Sequence, residues 1–145
     1  MAALKKNVIL VPVDFEEGSL KALDLATCIA DRDRAELVLL HVYSVPTYAY
    51  PGLAPTLMPQ LQKEIAERAQ EALCRLAGEN GNIRWLLTDG DTATEIDKTA
   101  REIGAKMIIM GTHGRKGFSR LILGSVADRT LRSSKIPVLI VPPEE

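Results

Sequence analysis

Residues 7–13 read "NVILVPV", and this nearly unbroken apolar run, rich in β-branched residues, indicates the fold class. A strand with one solvated face alternates apolar and polar residues, whereas an unbroken apolar run is typical of a strand that helices cover on both faces. Further apolar runs occupy 36–43, 83–87, 106–110 and 136–141. The sequence therefore predicts five strands.

The segments between these strands are predicted to be helical, over 19–32, 58–77, 92–103 and 125–134. Gly78 and Gly104 stand where left-handed residues end the second and third helices. Thr92 and Glu95 have the spacing of a capping box at the start of the third. Alternation of strand and helix predicts one α/β domain over 1–145, with a parallel sheet and helices on both faces.

The composition of the 145-residue chain narrows the function classes. Hydrophobic residues make up 46% and charged residues 26%, the balance of a globular domain with a buried core. Because the net charge is -1, no overall field attracts nucleic acid or an anionic membrane. No apolar stretch approaches the roughly 18 residues of a membrane span, and the N-terminus has no signal-peptide pattern. We therefore expect a cytoplasmic protein that binds neither nucleic acid nor membrane.

Cysteine and histidine are too sparse for a metal or redox site. Cys28 and Cys74 are far apart and form no CxxC pair, so we interpret them as core or near-surface thiols. His41 lies inside an apolar strand and is predicted to be a hydrogen-bonded core histidine rather than a ligand contact. Trp85, on the short third strand, is predicted to lie in the core or at an interface.

The stretch after the fourth strand, "GTHGRKGFSRLILGS" (111–125), is rich in glycine and cations. A strand that ends at Gly111 lets a ligand approach where a Cβ would clash. Gly114 and Gly117 permit positive φ, so that successive N–H groups can converge on an anion. Gly124 and Ser125 open a helix whose first N–H groups lack internal partners. This pattern favours a phosphate site held by the backbone.

Side chains of this stretch permit two interpretations. Arg115, Lys116 and Arg120 are cations that supplement a phosphate site. The alternative is a flexible loop in which glycines serve turns and basic residues are solvated. Neither GxxxxGK[ST] nor GxGxxG occurs, so a P-loop NTPase and a classical dinucleotide-binding fold are not supported. The apolar residues here form either a lid, a partner contact or loop packing: Phe118, Leu121, Ile122 and Leu123.

The order Gly111, two residues, Gly114, nine residues, Gly124-Ser125 resembles the nucleotide-binding motif of the universal stress protein family, in its ATP-binding branch. The resemblance extends to "VPVDF" (11–15), "LLHV" (39–42), "IIMGTHGR" (108–115) and "PVLIVPP" (137–143). It implies a Rossmann-like, adenine nucleotide alpha hydrolase-like sheet of strand order 3-2-1-4-5. It also implies a homodimer through the last strand (136–142), consistent with an uncovered apolar edge.

The resemblance further implies roles for individual residues. Pro12, Val13 and Asp14 match residues that contact the adenosine. Val42 matches a position whose backbone amide and carbonyl bind the adenine edge. Met110 and Gly111 match residues that line the floor of the nucleotide site. The ribose and phosphate side is matched by His113, Gly114, Gly124, Ser125 and Val126, with Arg115 as an added cation. Glu16 and Lys106 depart from the family pattern, outside the phosphate loop.

Two of these residues have alternative roles. Asp14 is also suited to cap the helix after the first strand. His113 is either a phosphate donor or a general base.

Three functions follow as hypotheses. The leading one is a regulatory stress protein in which ATP, with Mg²⁺ or Mn²⁺ held partly by the Ser125 hydroxyl, orders loops at 44–57 and 111–124. The second is slow ATP hydrolysis or phosphoryl transfer, although no water-positioning carboxylate accompanies the loop. The third is a nucleotide-free dimeric interaction protein, as in the other branch of the family.

Overall fold

Strand and helix alternate along the chain in the computed structural model, which describes residues 6–45, 57–112 and 123–143. The elements are β1 (Val8–Pro12), α1 (Glu17–Asp33), β2 (Glu36–Tyr43), α2 (Met58–Glu79), β3 (Arg84–Asp89), α3 (Thr92–Glu102), β4 (Met107–Gly111), α4 (Ser125–Ser133) and β5 (Val138–Val141). The predicted loop at 44–57 lies mostly outside the described residues, at 46–56.

The five strands form one parallel sheet of order β3-β2-β1-β4-β5, so the predicted fold class and strand order are confirmed. β1 is the central strand, with Ile9 opposite both Leu37 of β2 and Met107 of β4. Leu10 and Val11, which point to opposite faces, are both 0% exposed. Their burial explains why the first strand is apolar throughout rather than alternating.

Each face of the sheet carries its own hydrophobic cluster. On one face, Val11, Leu39 and Ile109 pack with Leu23 of α1 and Leu73 of α2. Trp85 packs against the same cluster, so its predicted place in the core is confirmed.

On the other face, Leu10, Val38 and Ile108 pack with Ile96 of α3 and Ala127 of α4. The sheet is therefore the middle of three layers, and its two ends remain open to position a site.

The second helix ends beyond the predicted residue. Gly78 lies inside α2, and a Cβ there would meet nothing within 4 Å, so the predicted C-cap was wrong. The left-handed residues come later, at Gly81 and Asn82, with φ of 86° and 58°. Asn80 satisfies the last turn instead, since its side-chain Nδ2 donates to the Leu76 carbonyl at 2.9 Å.

The third helix begins with a different cap from the one predicted. The N-cap is Asp91, whose Oδ2 accepts from the backbone N–H of Thr94 at 3.1 Å. Thr92 is the first helical residue, so the predicted capping box of Thr92 and Glu95 was wrong. Gly104, with φ of 69°, follows the helix end as predicted.

Several further observations bear on the sequence predictions. Cys28 and Cys74 are free and exposed, as expected of near-surface thiols.

Lys106 is exposed, and its backbone N–H donates to the Val8 carbonyl at 2.8 Å, so the sheet accommodates this departure from the family pattern. Within the described ranges, no helix combines the length and apolar character needed to cross a bilayer.

Candidate functional site

A cavity of about 580 Å³ opens at the carboxyl ends of the strands, a volume typical of small-molecule sites. The chain runs from β1 outward to β2 and β3 on one side and then crosses to β4 on the other. The cavity lies where that order reverses, which is the usual ligand position in open α/β sheets.

The structure brings nine of the residues proposed from the sequence to this cavity: Pro12, Val13, Asp14, Val42, Met110, Gly111, Gly124, Ser125 and Val126. The other three, His113, Gly114 and Arg115, lie outside the described residues, as do Lys116, Gly117, Phe118, Arg120, Leu121 and Ile122.

Sequence reasoning missed a second set of lining residues: Ser19, Leu40, His41, Thr92, Ile96, Thr112 and Ala127. Leu123, which was predicted to belong to a lid, a partner contact or loop packing, also lines the cavity. Two of the missed residues carried a signal. Thr112 directly follows the fourth strand, and Thr92 opens the helix after the third, so both belong to the edge where strand ends meet. Ser19 and His41 had none, because a residue one turn into a helix and a residue inside a strand are ordinarily assigned to packing.

Asp14 organises the turn between β1 and α1. Its Oδ1 accepts from the Ser19 hydroxyl at 2.8 Å and from the backbone N–H of Glu16 at 3.0 Å. The helix N-cap itself is Glu16, whose side chain makes no capping bond. Asp14 therefore closes the turn before the helix rather than capping it, and among the described residues nothing donates to its Oδ2.

Gly111 is required for a reason other than the predicted one. A Cβ there would lie 2.8 Å from the backbone of Gly18, closer than side-chain carbons approach. The sequence interpretation, that glycine keeps room for a ligand, was incomplete. Because Gly111 has no side chain, β4 and α1 can pack in backbone contact.

The N-terminus of α4 faces the cavity without a side-chain cap. Its N-cap is Gly124, and the first intrahelical bond runs from the N–H of Asp128 to the Gly124 carbonyl at 2.9 Å. The N–H groups of Ser125, Val126 and Ala127 precede that bond and have no partner within the helix. All three residues line the cavity.

One amide counted as free from the sequence is already paired. The N–H of Gly124 donates to the carbonyl of Thr112 at 2.7 Å, so it is not open to a ligand. The anion-binding capacity of this helix end therefore rests on three amides and the positive end of the helix dipole.

The neighbouring helix α3 presents the opposite case. Its N-cap Asp91 accepts from Thr94 and also forms a bidentate ion pair with Arg129 of α4, at 2.8 and 2.7 Å. The Arg129 and Thr94 hydrogen bonds hold the pKa of the Asp91 carboxyl well below its usual range. Of these two neighbouring helices, α3 is capped from within the chain, whereas the N-terminus of α4 has no side-chain cap and can accept an anionic ligand.

His41 lines the cavity instead of being sealed in the core. Its Nδ1 lies 2.6 Å from the carbonyl oxygen of Val13, so the predicted hydrogen bond is present. Its ring centroid is 4.8 Å from that of Phe15, a residue with φ of 66°. It differs from the prediction in its place, since it is half-buried at the cavity wall rather than enclosed in the core.

Comparisons with known proteins agree with this architecture. Residues 6–142 match the model of the universal stress protein family. Universal stress protein MJ0531 of Methanocaldococcus jannaschii is 35% identical over 136 residues, which cover 92% of this chain and 80% of the relative.

Two solved structures are similar along nearly the whole chain. The structure of the protein MJ0577 has a TM-score of 0.82 and 27% sequence identity, and the match covers 98% of this chain and 99% of the MJ0577 chain. A universal stress protein in complex with cAMP has a TM-score of 0.62 and 25% identity, covering 95% and 98%. With the family match spanning most of the sequence, this chain belongs to the universal stress protein family.

Proposed function

We propose that this chain is a member of the family's ATP-binding branch and acts as a nucleotide-dependent regulatory module. The observation that carries the proposal is the uncapped N-terminus of α4, which opens into a cavity of nucleotide size at the switch point of the sheet. Three amides that have no hydrogen-bond partner among the described residues, together with the helix dipole, provide a site for phosphate oxygens. The solved relative in complex with cAMP supports an adenine nucleotide as the ligand class.

The adenosine moiety is assigned to the opposite wall. Pro12, Val13, Val42 and Met110 give that wall an apolar surface suited to a purine ring. Asp14 supplies the carboxylate there, and its Oδ2 is available to accept from ribose hydroxyls or the adenine amino group. The base and the phosphates thus lie on different elements, which requires a ligand that spans the cavity.

The phosphate side is assigned to α4 and the preceding segment. Ser125, Val126 and Ala127 contribute backbone amides, and Ser125 adds a hydroxyl. Among the described lining residues no lysine or arginine is present. His113, Gly114 and Arg115 remain the predicted further contacts.

A divalent ion, Mg²⁺ or Mn²⁺, is part of the proposal as a companion of the nucleotide. The Ser125 hydroxyl is a hard oxygen donor of the kind Mg²⁺ accepts. In the described part of the chain, no group of three His, Cys, Asp or Glu side chains is placed to hold an ion. The Ser125 hydroxyl would be the protein's ligand to such an ion, which would offset the negative charge of the triphosphate.

Calorimetric titration tests the proposal directly. Purified protein is titrated with ATP and Mg²⁺, and then with ADP, AMP and cAMP, since the last competes for the same adenine wall. We expect saturable one-site binding of ATP. Lack of binding at millimolar nucleotide would overturn the proposal. Mass spectrometry of freshly purified, denatured protein adds an independent readout, because a retained nucleotide is released and identified by mass.

Catalysis is a less favoured alternative. The one carboxylate that lines the cavity among the described residues is Asp14, which is assigned to the adenosine wall and not to the phosphate end. Slow hydrolysis or phosphoryl transfer needs a group that orients the attacking oxygen in line. ATP turnover above a no-protein control that is lost in Gly114→Val but retained in a surface variant would favour an enzyme.

We also propose a homodimer through the last strand. β5 is an edge of the sheet, and its four apolar residues, Val138–Val141, are all half-exposed. An apolar edge pairs readily with a second copy about a two-fold axis. Sedimentation at micromolar concentration should give a dimer. A dimer that retains no nucleotide and binds none would instead support the family's nucleotide-free interaction branch.

A cytoplasmic location belongs to the same proposal. Fractionation of cells that carry a tagged copy tests it, with recovery in the membrane or extracellular fraction as the contrary result.

A further inference from the structure

We propose that His41 is a positioning residue for the nucleotide site, acting through Asp14. The inference rests on the proposed function above for the identity of the ligand. The positioning of Asp14 by His41 rests on contacts in the ligand-free protein. His41 touches both neighbours of Asp14 in sequence: its Nδ1 binds the Val13 carbonyl, and its ring lies against Phe15.

The hydrogen bond defines the proton position on the imidazole. A carbonyl oxygen only accepts, so at 2.6 Å the Nδ1 of His41 carries the proton and donates it to Val13. The neutral ring is thereby held as the Nδ1–H tautomer, with Nε2 free of a proton.

The bond also fixes a peptide group. The Val13 carbonyl and the Asp14 N–H are opposite ends of one planar peptide unit. His41 of β2 holds the carbonyl end, and the Ser19 hydroxyl of α1 accepts from the N–H end at 3.2 Å. Because both ends are hydrogen-bonded, rotation of the unit would break both bonds. The direction in which Asp14 leaves the backbone is therefore set by residues of two other elements.

Phe15 supplies the second contact. A bulky side chain at φ of 66° adopts this left-handed conformation only where its surroundings enforce it. The ring of Phe15 packs on His41 at 4.8 Å with an interplanar angle of 41°. The imidazole therefore supports the strained residue that follows Asp14 as well as the peptide that precedes it.

These contacts place the Asp14 carboxylate before a ligand arrives. Its Oδ1 is held by Ser19 and Glu16, while Oδ2 is open among the described residues. A preorganised acceptor loses less freedom on binding than a mobile one. His41 therefore raises the affinity for the nucleotide without touching it.

A pair of substitutions separates the two contacts. His41→Phe keeps an aromatic ring against Phe15 but removes the donor, whereas His41→Asn keeps an N–H donor near the Nδ1 position and loses the ring. We expect H41F to weaken ATP binding about tenfold, the effect of losing one well-placed hydrogen bond, and H41N to recover most of it. A purely packing role predicts the reverse order.

A double-mutant cycle tests the route through Asp14. If His41 acts by placing that carboxylate, H41F should have no further effect on ATP affinity in an Asp14→Ala background. Wild-type affinity in a folded H41F protein, or additive losses in the double mutant, would overturn the proposal. Should H41F not fold, His41→Leu, which also removes the donor to the Val13 carbonyl, takes its place with the same expectation.

Measurements without nucleotide distinguish failure of this inference from failure of the proposed function. Imidazole ¹⁵N shifts of the free wild-type protein should report the Nδ1–H tautomer at His41. Hydrogen exchange of the Asp14 amide should be about tenfold faster in H41F and unchanged in H41N. A wild-type protein that binds no ATP refutes the proposed function alone; unchanged exchange in H41F, or the opposite tautomer, refutes the positioning role.

Discussion

A Cβ atom on Gly111 would lie 2.8 Å from both the carbonyl carbon and the carbonyl oxygen of Gly18. The last residue of β4 and the first turn of α1 are thus in backbone contact directly beneath the cavity. The partner atoms belong to the main chain and cannot rotate away, so any side chain at residue 111 forces the helix from the sheet.

We therefore predict that Gly111→Ala destabilises the protein by about 1–3 kcal/mol, the usual cost of overpacking a close contact. Urea denaturation followed by circular dichroism measures it. A variant as stable as the wild type would show that α1 moves freely relative to β4, contrary to the packing described here.

Gly78 offers the matched control, because it lies within α2 with open space around its Cα. Gly78→Ala should raise the stability by about 0.5–1 kcal/mol, since alanine restricts the unfolded chain and favours the helix. The same denaturation experiment reports it. A loss of stability would mean that the helix ends before residue 78 in solution.

Gly124→Asp tests the open end of α4. The backbone of Gly124, with φ of -64° and ψ of 157°, is accessible to any residue, and an aspartate there would cap the amides of the first turn. We expect stability to be retained while ATP affinity falls by about tenfold or more, because an internal carboxylate competes with the phosphates. Gln70→Glu, on the exposed surface of α2, adds the same charge elsewhere and should bind as the wild type does.

The Asp91–Arg129 pair predicts a pH dependence of stability. The folded protein holds the Asp91 pKa below the usual value of 3.8, so the ionised carboxyl stabilises the fold at pH above that value. That contribution is lost as pH falls through and below it. Asp91→Asn should therefore lower the urea midpoint at pH 7, and the difference from wild type should shrink at pH 3. An equal difference at both pH values would argue that the ion pair does not form.

Much of the architecture follows from the sequence for a clear reason. Strands such as 7–13 are apolar throughout because helices cover both faces, and that pattern separates a parallel sheet from other folds. The strand order was not contained in periodicity and came from the family resemblance. Two helix caps were wrongly predicted because adjacent residues offer alternatives that spacing alone does not rank: Asp91 takes the cap instead of Thr92, and α2 continues past Gly78 to a last turn that Asn80 satisfies.

Residues that line the cavity were predictable where they lie at the end of a strand, as with Asp14 and Gly111, and not where their place depends on a partner distant in the chain. His41 was assigned to the core because its neighbours in β2 are apolar, although it meets Val13 at the cavity wall. The Gly124 amide was counted as free because nothing local reveals that it pairs with Thr112.

The hydrogen bond between Gly124 and Thr112 joins main-chain atoms at both ends, so it does not depend on which side chains lie between them. It anchors the start of α4 next to the end of β4 and closes the loop between them. Relatives could exchange the intervening stretch, in which the sequence predicts further ligand contacts, while the helix keeps its place. New ligand preferences could thus evolve, or be engineered, by replacing the residues between Thr112 and Gly124 while the sheet and helices stay unchanged.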